Sequence, residues 1–252
     1  MTENILQKIN DIVWGPFTLC LLAGVGLFYT VKLGFFQFTH FGFWWKNTFM
    51  SLFKKHNGSD GAGVSPLKAV STALAGSVGT GNIVGVANAV ALGGAGAVFW
   101  MWIASFLGMA TVLAENVLGV KYRVRLKSGF SGGPMYYIEK GLGCKWLAAV
   151  FAVFCTLASL GMGNMTQGNS VAGALENGFG IPVHVTGAVL SVVTWIIIFG
   201  GIGRISGFTE KLVPVMTLLY IGVILFVISV NINNVPSALR EIFEDAFSLK
   251  SA

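Results

Sequence analysis

Charge is scarce in this chain. Asp, Glu, Lys and Arg make up 10% of its 252 residues, where soluble domains carry about 25%. That deficit excludes an ordinary water-soluble globule. Cysteine and histidine are nearly missing as well, with three of each. Cys20, Cys144 and Cys155 have no CxxC or metal-ligand spacing, so they read as packing residues. His40, His56 and His184 are scattered. No Ser/His/Asp set, carboxylate pair or Cys/His cluster is visible, and no enzyme and no organic cofactor are expected. What is plentiful is apolar: 54% of residues are hydrophobic and the mean hydropathy is +0.75. This balance predicts an all-α, multi-spanning membrane protein.

The few charges delimit the spans. Between Asp11 and Lys32 lie 20 uncharged residues, and between Lys68 and Glu115 lie 46. A hydrocarbon core of about 30 Å needs roughly 20 residues of helix. The first stretch therefore holds one span and the second holds two, with a turn expected at Gly93-Gly94. Lys145 to Glu176, Glu176 to Arg204 and Lys211 to Arg240 enclose 30, 27 and 28 uncharged residues. Six spans are expected: 12–31, 70–92, 97–120, 146–172, 182–203 and 212–231. The first lacks a basic start and a small-x-small cleavage site, which argues against a signal peptide.

Lysine and arginine orient the spans. Thirteen of the 16 basic residues fall in loops 32–69 and 121–145 or at Arg204 and Lys211. The positive-inside rule puts these loops in the cytoplasm and both termini outside, in a plasma (inner) membrane. The basic balance thus reflects topology in a lipid bilayer, and no nucleic-acid partner is expected. Residues 35–55, FFQFTHFGFWWKNTFMSLFKK, are aromatic and basic but do not form a span. They read as an in-plane interfacial helix or a cytoplasmic loop packed on the bundle. The segment GGPMYYIEKGLG (132–143) reads as a loop followed by a short amphipathic helix, with Gly141 as its C-terminal cap.

Within the longest uncharged run stands STALAGSVGTGNIVG, residues 71–85. Gly79 and Gly81 evoke a dinucleotide fingerprint, but Val84 occupies its last glycine position and no P-loop lysine follows. Gly81, Gly85 and Ala89 form a small-residue stripe suited to close helix packing. Packing accounts for the glycines and leaves Ser77, Thr80 and Asn82 unexplained. A discontinuous helix near 78–81 accounts for both. A break exposes carbonyls that coordinate a hard cation and N–H groups that meet a carboxylate.

The run from Ser71 to Arg123 resembles the alanine or glycine:cation symporter family (sodium:alanine symporters). GGAGAVFWMW (93–102) followed by IASFLG carries the most specific likeness. GGPMYYIEKGLG, GMGNMTQGNS (161–170) and GGIGRISGFTEKLVP (200–214) agree with it. The resemblance implies a LeuT-type fold of two inverted five-helix repeats. It further implies sodium-coupled symport of a small neutral amino acid, alanine or glycine, into the cell. Residues 12–31 would be a leading helix and 70–231 the first repeat, together one transmembrane domain over 1–252. The second repeat is not visible in the sequence, so the chain reads as an N-terminal half with a C-terminal half missing. The alternative is a truncated, non-transporting membrane fragment that needs a partner half.

Site residues follow by motif from the resemblance. The carbonyls of Ala75 and Val78 match one sodium site, and Ser77 with the Asn82 side chain matches another. Thr80, Gly81 and Asn82 would face the substrate, the first two through their N–H groups. Asn164 and Gln167 stand at i and i+3, a spacing that shares one helix face. Gln167 is the expected substrate contact, and interhelical bonding is the alternative for both amides. Glu115 stands six residues before Lys121, about 9 Å along a helix. It is either a gating or structural carboxylate, or the ion partner of Lys121 or Arg123.

Overall fold

The computed structural model describes residues 2–52, 66–126 and 129–248. In chain order its helices are α1 (Thr2–Val13), α2 (Pro16–Lys32), α3 (Phe36–Thr39), α4 (Phe41–Leu52), α5 (Pro66–Ser77) and α6 (Val84–Gly93). Helix α7 (Gly96–Lys121) leads into a small antiparallel hairpin, β1 (Val124–Leu126) and β2 (Gly129–Ser131). Then come α8 (Pro134–Leu142), α9 (Lys145–Leu160), α10 (Thr166–Phe179), α11 (Val183–Ile198), α12 (Gly201–Val230) and α13 (Val235–Asp245).

Among the described residues, length and apolarity qualify four helical stretches to cross a membrane: 7–32, 96–121, 145–179 and 203–230. A fifth arises if the bent pair α5 and α6 is one span. Only 6% of each stretch's most apolar window is buried. Side chains this apolar and this exposed need lipid around them, so the chain is a multi-pass membrane protein. The span expected at 182–203 corresponds to α11, whose 16 residues fall short of the usual length.

Several boundaries differ from the sequence expectation, each for a local reason. The break between the last two spans lies at Phe199-Gly200 rather than at residues 204–211, which are helical. Arg204 Nη1 donates to the Ile196 carbonyl at 3.0 Å, so this cation satisfies the end of α11. A Cβ at Gly200 would overlap the Arg204 side chain, and glycine there leaves room for it. At 30 residues, α12 is about 45 Å long and reaches past a hydrocarbon core, which explains charges inside a continuous helix. Gly141 lies within α8, and Gly143, at φ 69°, forms the left-handed C-cap instead. Residues 36–39 and 41–52 are helical, as α3 and α4, and the last three residues of the 35–55 segment lie outside the described residues.

Two compact units make up the chain. Unit 1 comprises residues 1–50 and 98–148, and unit 2 comprises 51–97 and 149–252. In unit 1, α2 and α7 approach closely at Gly26, where an added Cβ would stand 2.8 Å from Leu107 Cβ. Thr30 Oγ1 donates to the Gly26 carbonyl at 2.8 Å and accepts from Gln37 Nε2 at 3.1 Å. The Phe38 and Phe106 rings meet at a tilt of 32° with centroids 4.5 Å apart. In unit 2, α5 lies against α12. Thr72 and Thr209 hydroxyls meet at 3.3 Å, and Lys68 pairs with Glu210 at 3.5 Å. Asp245, at the end of α13, accepts from the Gly96 amide at the start of α7.

Candidate functional site

The 67–77 and 80–93 segments meet at an angle of 69°. Local competition for the backbone causes the break. Ser77 Oγ donates back to the Ala73 carbonyl at 2.8 Å, a bond that weakens the last helical turn. Asn82 Nδ2 crosses the break and donates to the Ser77 carbonyl at 2.9 Å. Gly79 is extended, at φ −132° and ψ −168°, and a 3₁₀ turn over Thr80–Asn82 follows. The discontinuous helix expected near 78–81 is therefore present.

The break frees backbone groups of both kinds. Among the described residues, nothing donates to the carbonyls of Ala75, Gly76 or Val78. On the other side, the Thr80 amide donates to Gln167 Oε1 at 2.9 Å. The Gly81 amide has no acceptor among the described residues. A Cβ at Gly79 would stand 2.6 Å from Gln167 Nε2, so glycine lets the Gln167 amide lie against the chain. Free carbonyls and a free amide thus lie in one short stretch, the combination that serves a cation and a carboxylate.

A cavity of about 700 Å³ opens here. Ser77, Val78, Thr80, Asn82 and Gln167 all line it. Its size lies within the range usual for small-molecule sites. Ala75 and Gly81 belong to the same backbone stretch without lining the cavity. The far wall comes from α12 through Met216, Thr217 and Tyr220, which sequence reasoning missed. Thr217 and Tyr220 stand at i and i+3, the polar positions on one face of an otherwise apolar stretch. That spacing was the available signal.

Asn164 and Gln167 do not share a face. A π-helical turn at Gly161–Met165 separates α9 from α10. Its wider turn breaks the i, i+3 relation. Asn164 lines a different cavity of unit 2, of about 510 Å³, with Asn169, Ser191 and Thr194. Glu115 belongs to unit 1, where it lines a cavity of about 330 Å³ with Asn116 and Tyr137. It pairs with neither Lys121 nor Arg123. Those cations lie over the Tyr122 and Phe130 rings, at 5.5 and 4.4 Å.

Residues 1–252 match a family model described as the sodium:alanine symporter family. The chain belongs to the sodium:alanine symporter family. It is 43% identical over 254 residues to the sodium/alanine symporter AgcS of Methanococcus maripaludis, covering 98% of this chain and 55% of that protein. A Haemophilus influenzae protein named as an uncharacterized transporter is 46% identical over 252 residues, covering 99% of this chain and 54% of that protein. The amino-acid carrier protein AlsT of Bacillus subtilis is 41% identical over 248 residues, covering 98% and 52%. The chain thus spans about half the length of the curated family members it matches.

Proposed function

We propose that this chain contributes to sodium-coupled symport of a small neutral amino acid, alanine or glycine, into the cell. The observation that carries the reading is the break at 78–80, which leaves carbonyls and the Gly81 amide unpaired in one short stretch beside a cavity lined by Val78 and Thr80. The family and the name of the Methanococcus maripaludis relative support the substrate class. In this reading α2 is the leading helix, and residues 70–231 form the first repeat of a LeuT-type fold. The basic loops face the cytoplasm and the termini face outward, in the cell membrane.

Each residue then has a role. The Ala75 and Val78 carbonyls hold one sodium ion. A second lies between the Ser77 carbonyl and the Asn82 side chain. There the Asn82 amide turns so that Oδ1, in place of Nδ2, faces the Ser77 side. The substrate carboxylate takes the Thr80 and Gly81 amides. To do so it displaces Gln167 Oε1, which holds the Thr80 amide in its absence, and Gln167 Nε2 then donates to the carboxylate. Because the cation and the substrate order one backbone stretch, residues 75–82, each binds more tightly when the other is present. Asn164 serves α10–α11 packing, outside the substrate cavity.

The test is uptake of labelled alanine into proteoliposomes, with and without an inward sodium gradient. The chain is assayed alone and joined to the part of the Methanococcus maripaludis relative that it does not match. Sodium-driven uptake by the joined protein supports the reading. Uptake indifferent to sodium refutes it.

A further inference from the structure

Thr217 carries an unused hydroxyl inside a membrane-spanning helix. The serine and other threonine hydroxyls of α12, on Ser206, Thr209 and Ser229, each donate to a backbone carbonyl three or four residues earlier. Thr217 makes no such bond, and its hydroxyl has no other partner among the described residues. It is half-buried and lines the cavity beside the broken helix. A polar group at membrane depth calls for a partner.

The packing of α5 on α12 says which partner. The two helices run side by side in one direction: Thr72 meets Thr209, and further along Ser77 and Val78 share the cavity with Met216 and Thr217. Val213, one turn past Thr209 on the same face of α12, is buried. Ser77, the last residue of α5, stands about 7–8 Å along its helix from Thr72, and Thr217 stands about 12 Å along from Thr209. Thr217 is therefore level with the space just beyond the end of α5. The carbonyls left open in the last turn of α5 point into that space, and the C-terminal end of a helix adds partial negative charge to it. The free Gly81 amide belongs to the other side of the break. Oxygen atoms without a fixed charge beside them suit a hard monovalent cation.

We propose that the Thr217 hydroxyl oxygen is a further ligand of the sodium ion held by the Ala75 and Val78 carbonyls. The inference rests on the symport reading and extends it: α12 as well as the broken helix holds the ion. Sodium then ties the end of α5 to α12 above their contact at Thr72 and Thr209.

The test is thermal melting of the full chain in detergent, in rising sodium chloride with choline chloride holding the ionic strength constant. An ion that binds only the folded state raises the melting temperature with its concentration. Thr217→Val keeps the side-chain shape and removes the oxygen. It should need about tenfold more sodium for the same rise, the scale of one hydrogen bond to a charged group. Thr217→Ser keeps an oxygen at that place and should titrate like the wild type, whereas a threonine that serves packing alone would be better replaced by valine. A sodium titration unchanged in Thr217→Val overturns the proposal, and so does a wild type that melts alike in sodium and in choline. Alanine uptake by the chain joined to the unmatched part of the Methanococcus maripaludis relative separates the proposal from the reading beneath it. Sodium-driven uptake whose sodium requirement is unshifted in Thr217→Val overturns the role of the hydroxyl alone, and a shifted alanine requirement in that case makes Thr217 a substrate contact. Uptake indifferent to sodium in the unsubstituted protein overturns both.

Discussion

Asn82 and Gln167 hold the two sides of the broken helix, and each makes its bond with a backbone atom. Their substitutions should separate the cation from the substrate. Asn82→Ala removes the side-chain oxygen assigned to sodium. The sodium concentration for half-maximal alanine uptake should rise about tenfold, the scale of one charged hydrogen-bond partner. An unchanged sodium response would remove Asn82 from the ion site. Gln167→Glu places a fixed carboxylate beside the Thr80 amide. It should weaken alanine at least about tenfold and leave the melting temperature nearly unchanged, read by uptake kinetics and thermal melts. Two glycines give a contrast at the same scale. A methyl at Gly79 meets the movable end of Gln167, so Gly79→Ala should impair alanine binding with little loss of stability. A methyl at Gly26 meets the Leu107 backbone carbonyl, at 3.0 Å, as well as its Cβ. Gly26→Ala should therefore destabilise unit 1 by about 1–3 kcal/mol, the usual cost of overpacking, in a denaturation assay.

Among the elements, those whose cause lies in nearby residues were legible in the sequence. The break at 78–80 follows from two glycines beside Ser77 and Asn82, and α7 starts within a residue of its expected position. The turn between α6 and α7 falls at Gly94, at φ 75°. Elements set by a side chain reaching backward were not legible. The α11–α12 break depends on Arg204 returning to the Ile196 carbonyl, eight residues earlier. The π turn at Gly161–Met165 left no mark in apolar periodicity, so Asn164 was placed beside Gln167 in error. Amphipathic helices α1 and α13 went unmarked because the expected spans were drawn from uncharged stretches alone. Helix α13 matters to the first turn of α7 through Asp245. Asp245→Ala removes an N-terminal cap and should cost about 1 kcal/mol, read as a lowered melting temperature. An unaltered melt would make that contact incidental.

For the whole molecule, composition sufficed to place it in a membrane, and the exposed apolar spans agree. What composition could not supply was the wall opposite the broken helix, since α12 contributes Thr217 and Tyr220 from about 140 residues away in sequence. Contacts at that separation depend on tertiary packing, which local patterns do not encode. The central claim is that one broken helix couples sodium to a small amino acid. Sodium-driven alanine uptake tests it most directly. The assay uses the chain joined to the part of the Methanococcus maripaludis relative that it does not match, with that relative in identical vesicles as the control. The account predicts accumulation that needs an inward sodium gradient and, in Asn82→Ala, about tenfold more sodium for half-maximal uptake. Accumulation without sodium, or none at all while the relative transports, would contradict it.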